Sequence, residues 1–223
     1  MCGRFALVSD GRAVAEQFGV EIPFDLAARY NIAPSQPLLV VREAQGGRLV
    51  DHLSWGLLPS WSKDAGAPRR PINARAETVS EKPSFRNAYR RRRCLVPASG
   101  YYEWVKQAEG KQPVYIYPRQ STLMAIAGLW EYWEQDGNAI QSCALLTCAA
   151  NQAISSLHHR MPVIIAAENY ERWLDDKSER DLPDELLAPA PEHLLGFHYV
   201  SKRVNSPAND GPECIAPEAS ERD

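Results

Sequence analysis

The 223-residue chain has no apolar run approaching the ~20 residues that a membrane span requires. Its opening, MCGRFALVSDGR, has neither the basic n-region nor the ~7–15-residue apolar core of a secretory signal. A cytoplasmic protein is the expectation; a membrane partner is not. Cysteine is scarce: Cys2, Cys94, Cys143, Cys148 and Cys214 are an odd set of five with no C-x-x-C pair. That argues against a disulfide-stapled secreted module, and the wide spacing argues against a tetrahedral zinc site. No metal and no cofactor are expected. Four of the five cysteines read as small buried hydrophobes. Cys2 stands apart because removal of Met1 would make it the amino terminus.

The composition that is present, 44% hydrophobic and 24% charged, is ordinary for a globular protein. With no internal repeat and no long linker, one domain over 1–216 is expected, followed by a frayed tail at 217–223. Helices are predicted at 12–19, 24–29, 83–93 (Pro83 in its first turn), 151–158 and 168–174. LLVVRE (38–43) and RLVDHLSW (48–55) flank a Gly-Gly turn and read as a hairpin. Further strands are predicted at 94–97, 101–106, 113–117, 122–132, 139–148, 162–166 and 194–204, with a Pro-rich loop at 183–191. Many short strands with few helices give an α+β fold, a curved, barrel-like, mainly antiparallel sheet flanked by short helices.

Net charge is −3, so the whole is no polycation. Charge is uneven, however. Arg86 and Arg90 to Arg93 crowd one segment after Arg69, Arg70 and Arg75, while acidic residues gather after Asp175. A local basic groove for nucleic acid is compatible with an acidic total. The plainer reading of Arg90–Arg93 is a solvated helix end.

An N-terminal cysteine carries an α-amine and a thiol on adjacent carbons. The amine, with a reference pKa of about 7.7–8.0, is partly neutral at physiological pH. It can condense with an aldehyde to a Schiff base, after which the thiol closes a five-membered thiazolidine. An internal cysteine lacks the amine, and serine lacks sulfur's nucleophilicity. Other segments hold chemistry too. RYNIAPSQ (29–36) and WGLLPSW (55–61) mix polar, proline and aromatic residues. INARAET (72–78) spaces Asn73, Arg75 and Glu77 alternately. GYYEW (100–104) sets Glu103 among aromatics, and HHRMP (158–162) supplies His158, His159 and Arg160. Each has a structural explanation when taken singly, such as a turn cap or an exposed strand residue.

Taken together and in order, MCGRF, YNIAP, WGLLPSW, NAR, GYYEW and H-x-R-M-P resemble the SRAP family (SOS-response-associated peptidases, or abasic-site processing proteins). The resemblance runs from Cys2 to VNSPANDGPECIAP near the C-terminus. It implies that Cys2 crosslinks to the ring-opened aldehyde of abasic sites in single-stranded DNA, including single-strand/double-strand junctions. It implies that Asn73 hydrogen-bonds the opened sugar or the Cys2 amine, that Glu103 shuttles protons, and that His158 assists ring opening and reversal. Arg4, Arg75 and Arg160 would bind flanking phosphates, and Trp61 with the Asn31–Pro34 loop would pack on the unpaired strand. His159 occupies the variable position and is taken as a bystander. A β-elimination lyase activity and self-processing at Met1 are also implied.

The chemistry asks for the same residue types. Opening a closed hemiacetal needs proton transfers, worth roughly 10²–10⁴-fold. Arginine forks suit phosphate, and aromatics stack on bases without sequence preference. Two other classes compete. An N-terminal-nucleophile amidohydrolase would use Cys2 as a thiolate but makes no special use of Glu103 or the arginines. A non-covalent DNA-binding module would rely on the arginine run. Nothing suggests a coiled coil or a large apolar interface, so a monomer is expected.

Overall fold

The computed structural model describes residues 2–66, 70–175 and 183–218. In chain order the strands and helices are β1 (Phe5–Leu7), α1 (Gly11–Phe18), β2 (Arg29–Ile32), β3 (Pro37–Ala44), β4 (Gly47–Trp55), β5 (Asn73–Arg75) and α2 (Arg86–Arg91). They continue as β6 (Arg93–Ala98), β7 (Gly100–Gln107), β8 (Gly110–Pro118), β9 (Met124–Gln135) and β10 (Asn138–Ala149). The last are α3 (Gln152–Ser155), β11 (Arg160–Pro162), β12 (Ile164–Ile165), α4 (Tyr170–Leu174) and β13 (Leu195–Tyr199).

Local chemistry accounts for several boundaries. The Asp10 side chain accepts from the Ala13 N–H and starts α1; Gly19, at φ 64°, ends it. Gln45 and Gly46 make the tight turn between β3 and β4, with Gly46 at φ 102° and Gly47, also at positive φ, opening β4 opposite Ala44. Strands β10, β4, β3, β6 and β9 pair in that order, and β9 returns to β10, so these five close a barrel. The β4–β10 seam is parallel and the other four are antiparallel. Closure leaves no free edge inside the ring. A second, wholly antiparallel sheet runs β13-β8-β7-β1-β2. The main core spans both, from Phe5 against Trp55 (5.3 Å between rings) to Trp173 under β6. The second sheet's other face packs Ala6, Tyr102 and Tyr115 against Val204 and Cys214 of the C-terminal segment.

The barrel-like, mainly antiparallel α+β architecture is as predicted, but several elements differ. Residues 24–29 form no helix; the chain there leads into β2, whose Tyr30 and Asn31 N–H groups donate to the Asp210 carboxylate. That distant carboxylate overrides local helix preference. The helix expected at 83–93 shrinks to α2, because Arg93 enters β6 and its guanidinium donates to the carbonyls of Trp173, Tyr89 and Asp175. Arg92 pairs with buried Glu131 at 2.8 Å. Half of the arginine run is therefore structural rather than a basic groove. The helix expected at 151–158 is only α3, and the one at 168–174 begins as a 3₁₀ turn. The strand expected at 162–166 splits into β11 and β12. The late strand stops at Tyr199, giving way to a 3₁₀ turn over Lys202–Asn205. The 183–191 loop carries one 3₁₀ turn, Asp184–Leu187. The tail is held further than expected: Pro217 bridges Val200, and the Glu218 N–H donates to Tyr199 O. Arg69 and 219–223 lie outside the described residues.

Gly100 marks the tightest approach in the second sheet. A Cβ there would lie 2.4 Å from Tyr115 Cζ and 2.6 Å from Ile116 O. Gly100→Ala should destabilise the fold by about 1–3 kcal/mol, as overpacking does. Urea denaturation checks this; an unchanged midpoint would show that the two strands separate without cost.

Candidate active site around Cys2

Four segments that are distant in sequence meet at Cys2. The chain enters β1 immediately after it, and the Tyr102 N–H donates to Arg4 O at 2.9 Å, fixing the entry against β7. The NAR motif arrives by another route. The Trp55 indole and the Leu145 N–H both donate to Ile72 O, at 2.9 and 3.0 Å, and β5 then lies parallel on β10. This sets Asn73 so that its Nδ2 donates to the Cys2 carbonyl at 2.8 Å. Glu103 comes from β7, buried at 3% exposure. His158 follows α3, with Nδ1 3.9 Å from Glu103 Oε1. The structure thus brings Cys2, Asn73, Glu103 and His158 together.

The electrostatics follow from burial. The Cys2 thiol is fully buried and sits near Glu103, and both push its pKa far up, so it is a neutral thiol. Burial likewise raises Glu103 above its ordinary value, against the opposing charge of the amino terminus. Burial lowers His158. Its Nδ1 lies 3.0 Å from the Arg160 N–H and 3.1 Å from Arg160 O. Neutral imidazole accepts from that N–H and carries its proton on Nε2; imidazolium would donate from Nδ1 to the carbonyl. One backbone position therefore serves both protonation states.

The expected strand-binding residues divide. Trp61 is 60% exposed, Arg75 is exposed and Pro34 is partly so. Asn31 is buried, and its Nδ2 donates to the carbonyls of Val204, Ser206 and Asn209. Arg4 donates to Asn31 Oδ1 at 2.7 Å and Val204 O at 2.8 Å, over the Trp104 ring. These two tie the C-terminal segment to β1 and β2. Arg160 offers its fork to Glu77, at 2.5 and 3.0 Å, and to the Thr147 carbonyl and hydroxyl.

Sequence reasoning missed three participants. Glu77 falls in a 3₁₀ turn, Ala76–Thr78, which breaks the alternation read from NARAET and lets it reach Arg160. Thr147 gives no signal in its apolar strand. His159, taken as a bystander, stacks on His158 with ring centroids 4.3 Å apart. Among the described residues no group of three or more His, Cys, Asp or Glu side chains is arranged to hold a metal ion, and no helix is long and apolar enough to cross a membrane.

A two-sheet fold with Cys2 held by Asn73 beside a buried Glu103 and a half-buried His158 defines one class of protein. The chain belongs to the SOS response associated peptidase (SRAP) family, whose model matches residues 1–207. It is 40% identical over 221 residues to the abasic site processing protein YoqW of Bacillus subtilis, covering 96% of this chain and 99% of that one. It is 28% identical to the abasic site processing protein YedK of Escherichia coli, over 97% of this chain and all of the other. A crystal structure of a protein from Bacteroides thetaiotaomicron has the same fold, with a TM-score of 0.88 at 24% identity, covering 97% of this chain and 100% of that one.

The raised Glu103 has a definite pH signature. Above its ordinary value of 4.5 the unfolded chain releases this proton while the folded chain keeps it, so stability falls as pH rises through the folded value. Glu103→Gln removes that loss. The variant should match wild type at pH 4 and exceed it at pH 7.5 in urea midpoint. A gap of equal size at both pH values would assign the difference to packing.

Proposed function

We propose that this protein crosslinks covalently, through Cys2 freed of Met1, to the aldehyde of abasic sites in single-stranded DNA. The observation that carries the reading is the Asn73–Cys2 hydrogen bond beside the pair of buried Glu103 and half-buried His158. The names of the relatives support it. The Cys2 α-amine adds to C1′ of the opened sugar, and the carbinolamine loses water to give an imine. The thiol sulfur then bonds to C1′ while the thiol proton ends on the amine nitrogen. Aldehyde, amine and thiol become thiazolidine and one water.

Each neighbour has a task. Asn73 holds the Cys2 carbonyl, which orients the amine. Glu103, whose burial favours the protonated form, donates to the departing hydroxyl and takes the proton back. His158 exchanges protons with the sugar oxygens near neutral pH. Exposed Arg75 meets a flanking phosphate, and Trp61 and Pro34 pack on the unpaired strand. Arg160 reaches phosphate only where Glu77 yields its fork; otherwise it braces His158. An abasic site has already lost its base stacking, so it enters a closed site at less cost than an intact nucleotide. The imine also acidifies the C2′ proton, which makes β-elimination a side path.

A neutral, buried thiol separates this reading from an amidohydrolase. A cysteine attacking an amide needs thiolate character, which these surroundings oppose. An amine that attacks first does not.

Incubation with single-stranded DNA carrying one abasic site, followed by a denaturing gel, tests the proposal. Wild type should give a retained band and Cys2→Ala none; an unchanged Cys2→Ala band would overturn it. Cys2→Ser keeps the amine and should give a labile imine or strand cleavage without a durable adduct. Any extension before Cys2 should abolish crosslinking. Affinity for the strand should fall steeply with salt, and Arg75→Ala should reduce the logarithmic slope by about one. A flat salt response would remove the phosphate contacts from this account.

A further inference from the structure

Tyr101 is the one aromatic of the GYYEW segment whose polar end finds no use inside the fold. The Tyr102 hydroxyl donates to Tyr30 O at 2.6 Å, and the Trp104 indole donates to Asn205 Oδ1 at 2.7 Å. The Tyr101 hydroxyl is fully buried and makes no hydrogen bond among the described residues. Phenylalanine would fill the same volume without desolvating a hydroxyl. Alternation along β7 puts Tyr101 on the same sheet face as Glu103, and its cross-strand neighbour is Phe5, just after the Cys2–Arg4 entry. Burial raises its pKa well above 10, and the charges that Cys2, Glu103 and Cys148 would carry push the same way, as expected for a hydroxyl lying among them.

A second orphan borders Cys2. Asn73 spends its Nδ2 on the Cys2 carbonyl, while its Oδ1 is buried without a partner. Tyr101 therefore offers an unused donor and Asn73 an unused acceptor. A sugar hydroxyl answers both, because it accepts one hydrogen bond and donates another.

We propose that the Tyr101 hydroxyl donates a hydrogen bond to the ring oxygen of the abasic deoxyribose, the atom that becomes the C4′ hydroxyl on opening, and so favours the aldehyde form. This rests on the function proposed above. On opening, the anomeric hydroxyl loses its proton and its oxygen becomes the aldehyde carbonyl. The bond between C1′ and the ring oxygen breaks, its electron pair goes to that oxygen, and a proton is added there. The step is an isomerisation with no net change in protons or electrons. Tyr101 stabilises the developing charge without giving up its own proton, and the new C4′ hydroxyl then donates to Asn73 Oδ1. Proton movement stays with Glu103 and His158.

The test compares wild type and Tyr101→Phe on two single-stranded oligonucleotides. One carries an ordinary abasic deoxyribose; the other carries an acyclic aldehyde linker that lacks the ring oxygen. Tyr101→Phe should crosslink to the deoxyribose about tenfold more slowly, the loss expected for one hydrogen bond. It should match wild type on the acyclic aldehyde, and its thermal midpoint should equal or exceed that of wild type. No slowing on the deoxyribose, or equal slowing on both substrates, would overturn the assignment. Failure of wild type to link to either substrate would instead sink the Cys2 reading itself.

Discussion

Strand β10 is hydrogen-bonded to four others along its 12 residues: antiparallel to β9 and β11, parallel to β4 and β5. The barrel closes through its pairings with β4 and β9, and the catalytic candidates depend on the other two. Pairing with β5 fixes where Asn73 stands; pairing with β11 fixes Arg160, whose backbone N–H and carbonyl hold the His158 ring. Thr147 sits where these pairings meet, opposite Arg75 on one side and Pro162 on the other. Its carbonyl accepts from Arg160, and its hydroxyl bonds to both Arg160 and Ala74 O. A single strand thus aligns two motifs more than 80 residues apart, which also meet directly through the Glu77–Arg160 pair.

The second sheet supplies the other half of the constellation. Cys2 and Glu103 enter from β1 and β7, which are direct neighbours, so their relation is set by sheet register. His158 and Asn73 come from the barrel side. The site lies where the two sheets meet, and it is polar only where residues from both converge. The Glu77–Arg160 pair stiffens this junction. Glu77 is half-exposed, and its carboxylate is held below the usual range first by the hydrogen bond from Arg160. As an exposed pair it adds little stability; its worth lies in fixing the geometry of the residue that grips His158.

Much of this was legible in the sequence, for identifiable reasons. The long strands announced themselves because their apolar residues continue or alternate over many positions. β1, β2 and β5 did not, since three or four residues carry no period, and their pairing is decided by partners far along the chain. Cys2, Asn73, Glu103 and His158 were visible because each stands in a motif of chemically suited residues. The arginine run misled in part because charge alone does not reveal burial: Arg93 satisfies four backbone carbonyls at the ends of α2 and α4. The same holds for Asn31 and Arg4, which look like ligands for a polyanion and spend their hydrogen bonds on the C-terminal segment.

Burial gives the site a consistent chemical bias. It pushes the Cys2 thiol, the Glu103 carboxyl and the His158 imidazole each toward the neutral form. A pocket in which the charged forms are disfavoured is poorly suited to a thiolate nucleophile. It suits a condensation between neutral partners, in which an amine meets an aldehyde and water departs. The carboxyl keeps its proton to higher pH than an ordinary carboxylate before giving it up, and the imidazole stays unprotonated to lower pH and so can take one. In the proposed crosslink a neutral thiol would add only once an imine is present to receive the sulfur. The proposed order, amine first and thiol second, would then follow from where the fold places Cys2: adjacent to a carboxyl and out of water.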